Sequence, residues 1–140
     1  MAFLVACQSS SSNAPEAIKE SFQADFPEVK ESTWEQQEDG NTWLGNFETP
    51  KGKFEVLYAP NGGLIYAKRE IANVRDIPSG VNNEFTRVFT GYEVDHAYEI
   101  NTPRGTLHEL HVHFETEHLI LRYDSNLKLT IEYPETEPNP

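Results

Sequence analysis

Apolar and polar positions along this chain follow two periods in turn, and the same succession occurs twice. After Pro15, Ile18, Phe22 and Phe26 recur at every fourth position, with Glu16, Lys19, Glu20, Gln23 and Asp25 between them. That spacing places one apolar stripe on a short helix. Asn13 stands where a cap is needed, Pro15 fits the first turn, and Pro27 ends the run. The period then drops to two, the signature of strands. Strands are predicted over 31–37, 42–48, 53–58 and 64–68, with Phe54, Val56 and Tyr58 on one face. The turns between them are Glu38-Asp39-Gly40-Asn41, Thr49-Pro50-Lys51-Gly52 and Ala59-Pro60-Asn61-Gly62-Gly63. Asp-Gly and Asn-Gly are hairpin signals because they tolerate positive φ.

A polar connector over 69–76 leads to the second copy. Pro78 opens a helix whose stripe is Val81, Phe85, Val88 and Phe89, and Gly91 stops it. Tyr92, Val94, His96, Tyr98 and Ile100 then alternate with Glu93, Asp95, Ala97 and Glu99. Further strands are predicted over 107–115, 118–123 and 128–133. Pro15, Phe22 and Phe26 return 63 positions later as Pro78, Phe85 and Phe89, and Tyr58 and Asn61 are echoed by Tyr123 and Asn126. A unit of this length would be marginal alone. The expected fold is α+β: two tandem helix-plus-four-strand repeats, 14–68 and 77–133, in a single domain over 14–133. The short turns require antiparallel pairing. The simplest assembly is one antiparallel sheet of about eight strands, both helices on one face, one shared core and the other face open to solvent. The segment 134–140 has no periodicity and reads as a flexible tail.

Charge narrows the partners. With 23 acidic and 11 basic residues the net charge is −12, which opposes nucleic acid and an anionic membrane surface. No segment has the ~20 apolar residues of a spanning helix. The single cysteine, Cys7, excludes an internal disulfide framework. Leu4-Val5-Ala6-Cys7 matches the bacterial lipobox pattern, so 1–13 reads as a truncated lipoprotein signal followed by a Ser-rich tether, with Cys7 as the lipid attachment point. The expected address is the bacterial cell envelope, periplasmic or surface, with membrane contact only through that anchor.

Several of these segments together resemble a known family. They are Phe22-Gln23-Ala24-Asp25-Phe26-Pro27, Thr33-Trp34-Glu35, the Asp39-Gly40 hairpin, Trp43 to Phe47, and Val56-Leu57-Tyr58 closing on Asn61-Gly62. The pattern is similar to the PepSY-like proteins of beta-lactamase-inhibitor-like (BLIP-like) fold, over about 14–133. In the second copy Thr90 replaces the helix-ending proline and Leu127 the turn glycine. The resemblance implies small secreted or lipid-anchored tandem-repeat proteins that act as binding or inhibitory modules, with no catalytic residues to carry over and no cofactor.

Two constellations could carry chemistry. His108, His111, His113 and His118 cluster in the second copy. In a strand, Glu109, His111, His113 and Glu115 share one face, with Leu110, Val112 and Phe114 toward the core. His111 and His113 at i, i+2 lie about 7 Å apart and form the alternative reading, a metal or small-ligand site. A turn at Thr116-Glu117 would set Arg122 opposite His111, against metal binding; an exposed polar strand face is the plainer expectation. Glu109 and Glu115 have no nucleophile or cleft to make them an acid–base pair, so no enzymatic role is expected. The aromatic set Trp34, Trp43, Phe47, Phe54, Tyr58, Tyr92 and Tyr98 is expected in the core. Leu44, Leu57 and Ile120 fall on the other parity. They are the candidate contacts for a protein or peptide partner on the open face.

Overall fold

A computed structural model describes residues 14–134. The signal and tether, Cys7, the Asn13 cap and the tail beyond 134 lie outside the described residues. Two helices and eight strands make an α+β fold. The strands follow sequence order through one open antiparallel sheet, β1 to β8. The described residues divide into two compact units, one ending at Arg69 and the other beginning at Glu70. Within the described residues no helix is long and apolar enough to cross a membrane.

Unit 1 comprises α1 (Glu16–Asp25), β1 (Thr33–Gln36), β2 (Trp43–Thr49), β3 (Gly52–Tyr58) and β4 (Leu64–Glu70, whose last residue falls in unit 2). The Pro15 carbonyl accepts from the amides of Ile18 and Lys19, which starts the helix where a proline needs no donor. Ile18 is fully buried. Phe22 centres an aromatic cluster, with Trp34 and Phe47 both at 5.2 Å and edge-on, the geometry ring quadrupoles favour. Trp34 lies flat over Gly45, where a Cβ would stand 2.7 Å from the indole. The Tyr58 hydroxyl donates to Asp25 Oδ2 at 2.8 Å, tying the last helical residue to β3.

Unit 2 comprises a 3-10 turn (Val74–Asp76), α2 (Ser79–Val88), β5 (Glu93–Thr102), β6 (Gly105–Phe114), β7 (Glu117–Tyr123) and β8 (Leu129–Glu132). Its core gathers Ile71, Ile77, Val81, Phe85, Ala97 and Leu110 with Leu119, Leu121 and Tyr123 of β7. Ile71 comes from the connector over 69–76, so that segment is not merely polar, and Ile77 is the first residue of the second repeat. Asn73 accepts from the Arg75 amide and shapes its 3-10 turn.

Several expectations are corrected. The buried apolar residues form two clusters, one in each unit, where one shared core was expected. A ten-residue helix is only about 15 Å long and covers the strands of its own unit. Val88 is not part of a buried stripe; it is the last helical residue and 49% exposed. The alternation from Tyr92 to Ile100 breaks at a β-bulge. Val94 pairs with Val112, but His96 pairs with His111, so Asp95 is an extra residue. Val94 and Ala97 pack on the core, while His96 and Tyr98 turn to the other face. Tyr98 therefore leaves the expected aromatic core. The β6–β7 turn is Glu115-Thr116, with Phe114 paired to Glu117, and Glu115 has φ 54°. This register sets Arg122 opposite Glu109, not His111. Phe114, at the end of its strand, is 42% exposed instead of buried.

Candidate functional site

In each unit the helix packs on one face of its strands, and the alternate residues face away. On that second face of unit 1, Glu35, Leu44, Leu57 and Tyr66 stand in one cross-strand row. Directly opposed side chains are the contact unit of a sheet face, so the two leucines and the tyrosine ring form one apolar strip. The neighbouring row is polar: Thr33, Asn46, Glu55 and Lys68. Tyr66 donates to Glu55 Oε2 at 2.6 Å, which pins its ring beside Leu57. Leu44 and Leu57 are both half-buried.

On the corresponding face of unit 2, Ile120 sits between His111 and Glu132. Around it runs a charged network. Glu109 is 3% exposed, and its carboxylate accepts from Arg122 Nε at 2.8 Å and contacts His111 Nε2 at 2.7 Å. Arg122 also donates to Glu132 at 2.6 Å. Burial works against the Arg122 charge, but hydrogen bonds to Glu132 and Glu109 outweigh it and raise the pKa. His113 Nδ1 contacts Asp95 at 2.8 Å, so the bulge residue orients a second imidazole. An open groove of about 610 Å³ is lined by Asp95, His96, His111, His118, Ile120 and Pro134 among others.

His111, His113 and His118 share this face, whereas His108 lies on the helix-side parity. The parity of His96 was misread because the bulge at Asp95 is invisible to simple alternation. An aspartate inside an otherwise strand-like run was the available signal, since Asp is depleted in regular strands. The two most perturbed hydroxyls lie in the unit cores, not in the groove. Burial and then the Asp25 carboxylate push Tyr58 up, and burial and then Glu84 push Tyr123 up to about 12.

The fold thus defined is a helix-plus-four-strand unit used twice, with a helix-free face on each. No known family model matches the chain, and no curated protein is significantly similar to it. Solved structures do match. A DUF2874 family protein from Bacteroides ovatus superposes with a TM-score of 0.76 at 16% identity, covering 86% of this chain and 89% of that one. A BLIP-like protein from Bacteroides fragilis gives 0.77 at 15% identity, covering 94% and 96%. A Bacteroides eggerthii protein, provisionally described as periplasmic, gives 0.78 at 12% identity, covering 87% and 90%. At these identities the likeness establishes a shared BLIP-like fold.

Proposed function

We propose that this protein is a non-enzymatic, PepSY-like binding module of the bacterial cell envelope, lipid-anchored at Cys7. A protein partner docks on a helix-free face, with Leu44 and Leu57 as the contacts offered by unit 1 and, taken separately, Ile120 as the contact offered by unit 2. Inhibition of that partner is the narrower form of the same reading. The observation that carries it is the apolar strip Leu44–Leu57–Tyr66, set on a face that no helix of its unit covers. Apolar residues ringed by polar ones are the anatomy of an interface centre. The net charge of −12 favours a partner with a basic rim. The BLIP-like and periplasmic descriptions of the structural neighbours agree with this reading.

The test is affinity capture from the native envelope, then titration of the purified partner against wild type and a Leu44→Asp/Leu57→Asp/Ile120→Asp variant. The expected result is saturable binding by wild type and its loss in a variant whose circular dichroism is unchanged. Retained binding by the folded variant, or no saturable binding by wild type, overturns the proposal.

A further inference from the structure

The helix-free face of unit 2 brings imidazoles together in a way the linear sequence does not announce. His96 and His111 are direct cross-strand partners, with ring centroids 6.2 Å apart. His113 and His118 are a second such pair, at 5.8 Å. The Asp95 bulge is what turns His96 onto this face. His111 and His118 line the same groove as His96. We propose that the His96–His111 pair is a binding site for a divalent first-row transition ion of the imidazole-preferring kind, zinc, copper or nickel. This goes beyond the partner-docking reading and does not depend on it.

Three observations carry the inference. The first is separation. A metal ion sits about 2.0–2.1 Å from an imidazole nitrogen, hence about 3.2 Å from the ring centre. Two rings on one ion then span at most about 6.4 Å, and about 5.2 Å at a tetrahedral angle. The observed 6.2 Å is inside that range, and the rings need close by only about 1 Å for tetrahedral geometry. The second is orientation. Metal-binding histidines usually give their other ring nitrogen to a carboxylate. His111 Nε2 already contacts the buried Glu109 carboxylate at 2.7 Å, which leaves Nδ1 as the coordinating atom. His96 Nδ1 lies 4.0 Å from Glu70, beyond hydrogen-bond reach, so neither of its ring nitrogens is committed to that carboxylate. The third is the ligand set. Imidazoles select zinc, copper and nickel over magnesium and calcium, which prefer oxygen.

Among the described residues no three His, Cys, Asp or Glu side chains already form a cage. The pair therefore supplies two ligands and water completes the shell. Such a site binds reversibly and in the micromolar range, not as a structural metal. Arg122 does not oppose it, because its charge is committed to Glu109 and Glu132.

The experiment is calorimetric titration of the untagged full chain with zinc chloride at about pH 7.5. Nickel and magnesium chlorides serve as comparison ions. Expected are one micromolar zinc site, a comparable nickel site and no magnesium binding. His96→Ala and His111→Ala should each weaken zinc at least tenfold, while His108→Ala, on the other parity, should leave it unchanged. His111→Gln provides a second variant should the alanine form fold poorly. Zinc binding weaker than millimolar, or binding undiminished in both folded His96 and His111 variants, overturns the site. So does equal loss in the His108 variant.

Discussion

Tyr123 and Tyr58 hold the same place in their units, yet their hydroxyls fare differently. Both side chains are fully buried. Tyr58 donates to Asp25, the final residue of α1. The final residue of α2 is Val88, and the Tyr123 hydroxyl is without a hydrogen-bond partner among the described residues. Val88→Asp should supply that acceptor. An unsatisfied buried hydroxyl costs about 1–3 kcal/mol. An acidic group at a helix C-terminus opposes the helix dipole by about 0.3–1 kcal/mol. Val88 is 49% exposed, so little burial is lost. The balance runs from about zero to a gain of about 2.7 kcal/mol, a few degrees in melting temperature at mid-range. Urea unfolding followed by far-ultraviolet circular dichroism measures it. Tryptophan fluorescence would report unit 1 alone, since Trp34 and Trp43 both lie there. In a Tyr123→Phe background the same Val88→Asp change should give no gain, a coupling of at least about 1 kcal/mol. A destabilised Val88→Asp variant, or an equal gain in the phenylalanine background, would refute the reasoning.

Other outcomes follow from the same geometry. Gly62 has φ 92°, and a Cβ there would stand 2.6 Å from Ser21 Oγ and 2.7 Å from the Ala17 carbonyl, so Gly62→Ala should cost about 2 kcal/mol or more in chemical denaturation. Leu127, the matching turn residue in unit 2, has φ 64° and reaches over Gly80. Leu127→Gly should therefore change stability by less than about 1 kcal/mol, relieved strain offsetting lost contact. Glu109→Ala should cost about 3 kcal/mol, because it strips a buried partner from Arg122 and His111. Tyr123 has its pKa raised from 10.0 to about 12, so the folded state favours the protonated phenol. Its contribution is fully present below pH 10 and is lost as pH rises toward 12, at a limiting slope of about 1.4 kcal/mol per pH unit. Tyr123→Phe should flatten the alkaline fall in stability measured by denaturation at successive pH values.

Much of the fold was legible because its signals are local. The stripe Ile18, Phe22, Phe26, the Asp39-Gly40 turn and the alternation Phe54, Val56, Tyr58 each encode an element without reference to the rest of the chain. The errors arose where one residue changes the parity of those after it. Asp95 bulges, and His96 and Tyr98 change faces. The turn between β6 and β7 falls at Glu115-Thr116, with a glutamate in a conformation usually given to glycine, and that moves Arg122 onto Glu109. No composition rule marks Glu115 for positive φ, so the buried Glu109–Arg122 pair was not foreseeable. The candidate docking residues depend on strand parity alone, and their pairing, Leu44 opposite Leu57, is supplied by the register of β2 on β3. The His96–His111 pair needed the bulge and hence the structure.

The proposed working surface of this protein is the helix-free face of each unit. Hydrogen–deuterium exchange on the full chain, with and without the purified envelope partner, tests that most directly. Added protection is expected in β2, β3 and β7, around Leu44, Leu57 and Ile120, and none in α1 or α2. Protection concentrated on the two helices would contradict it.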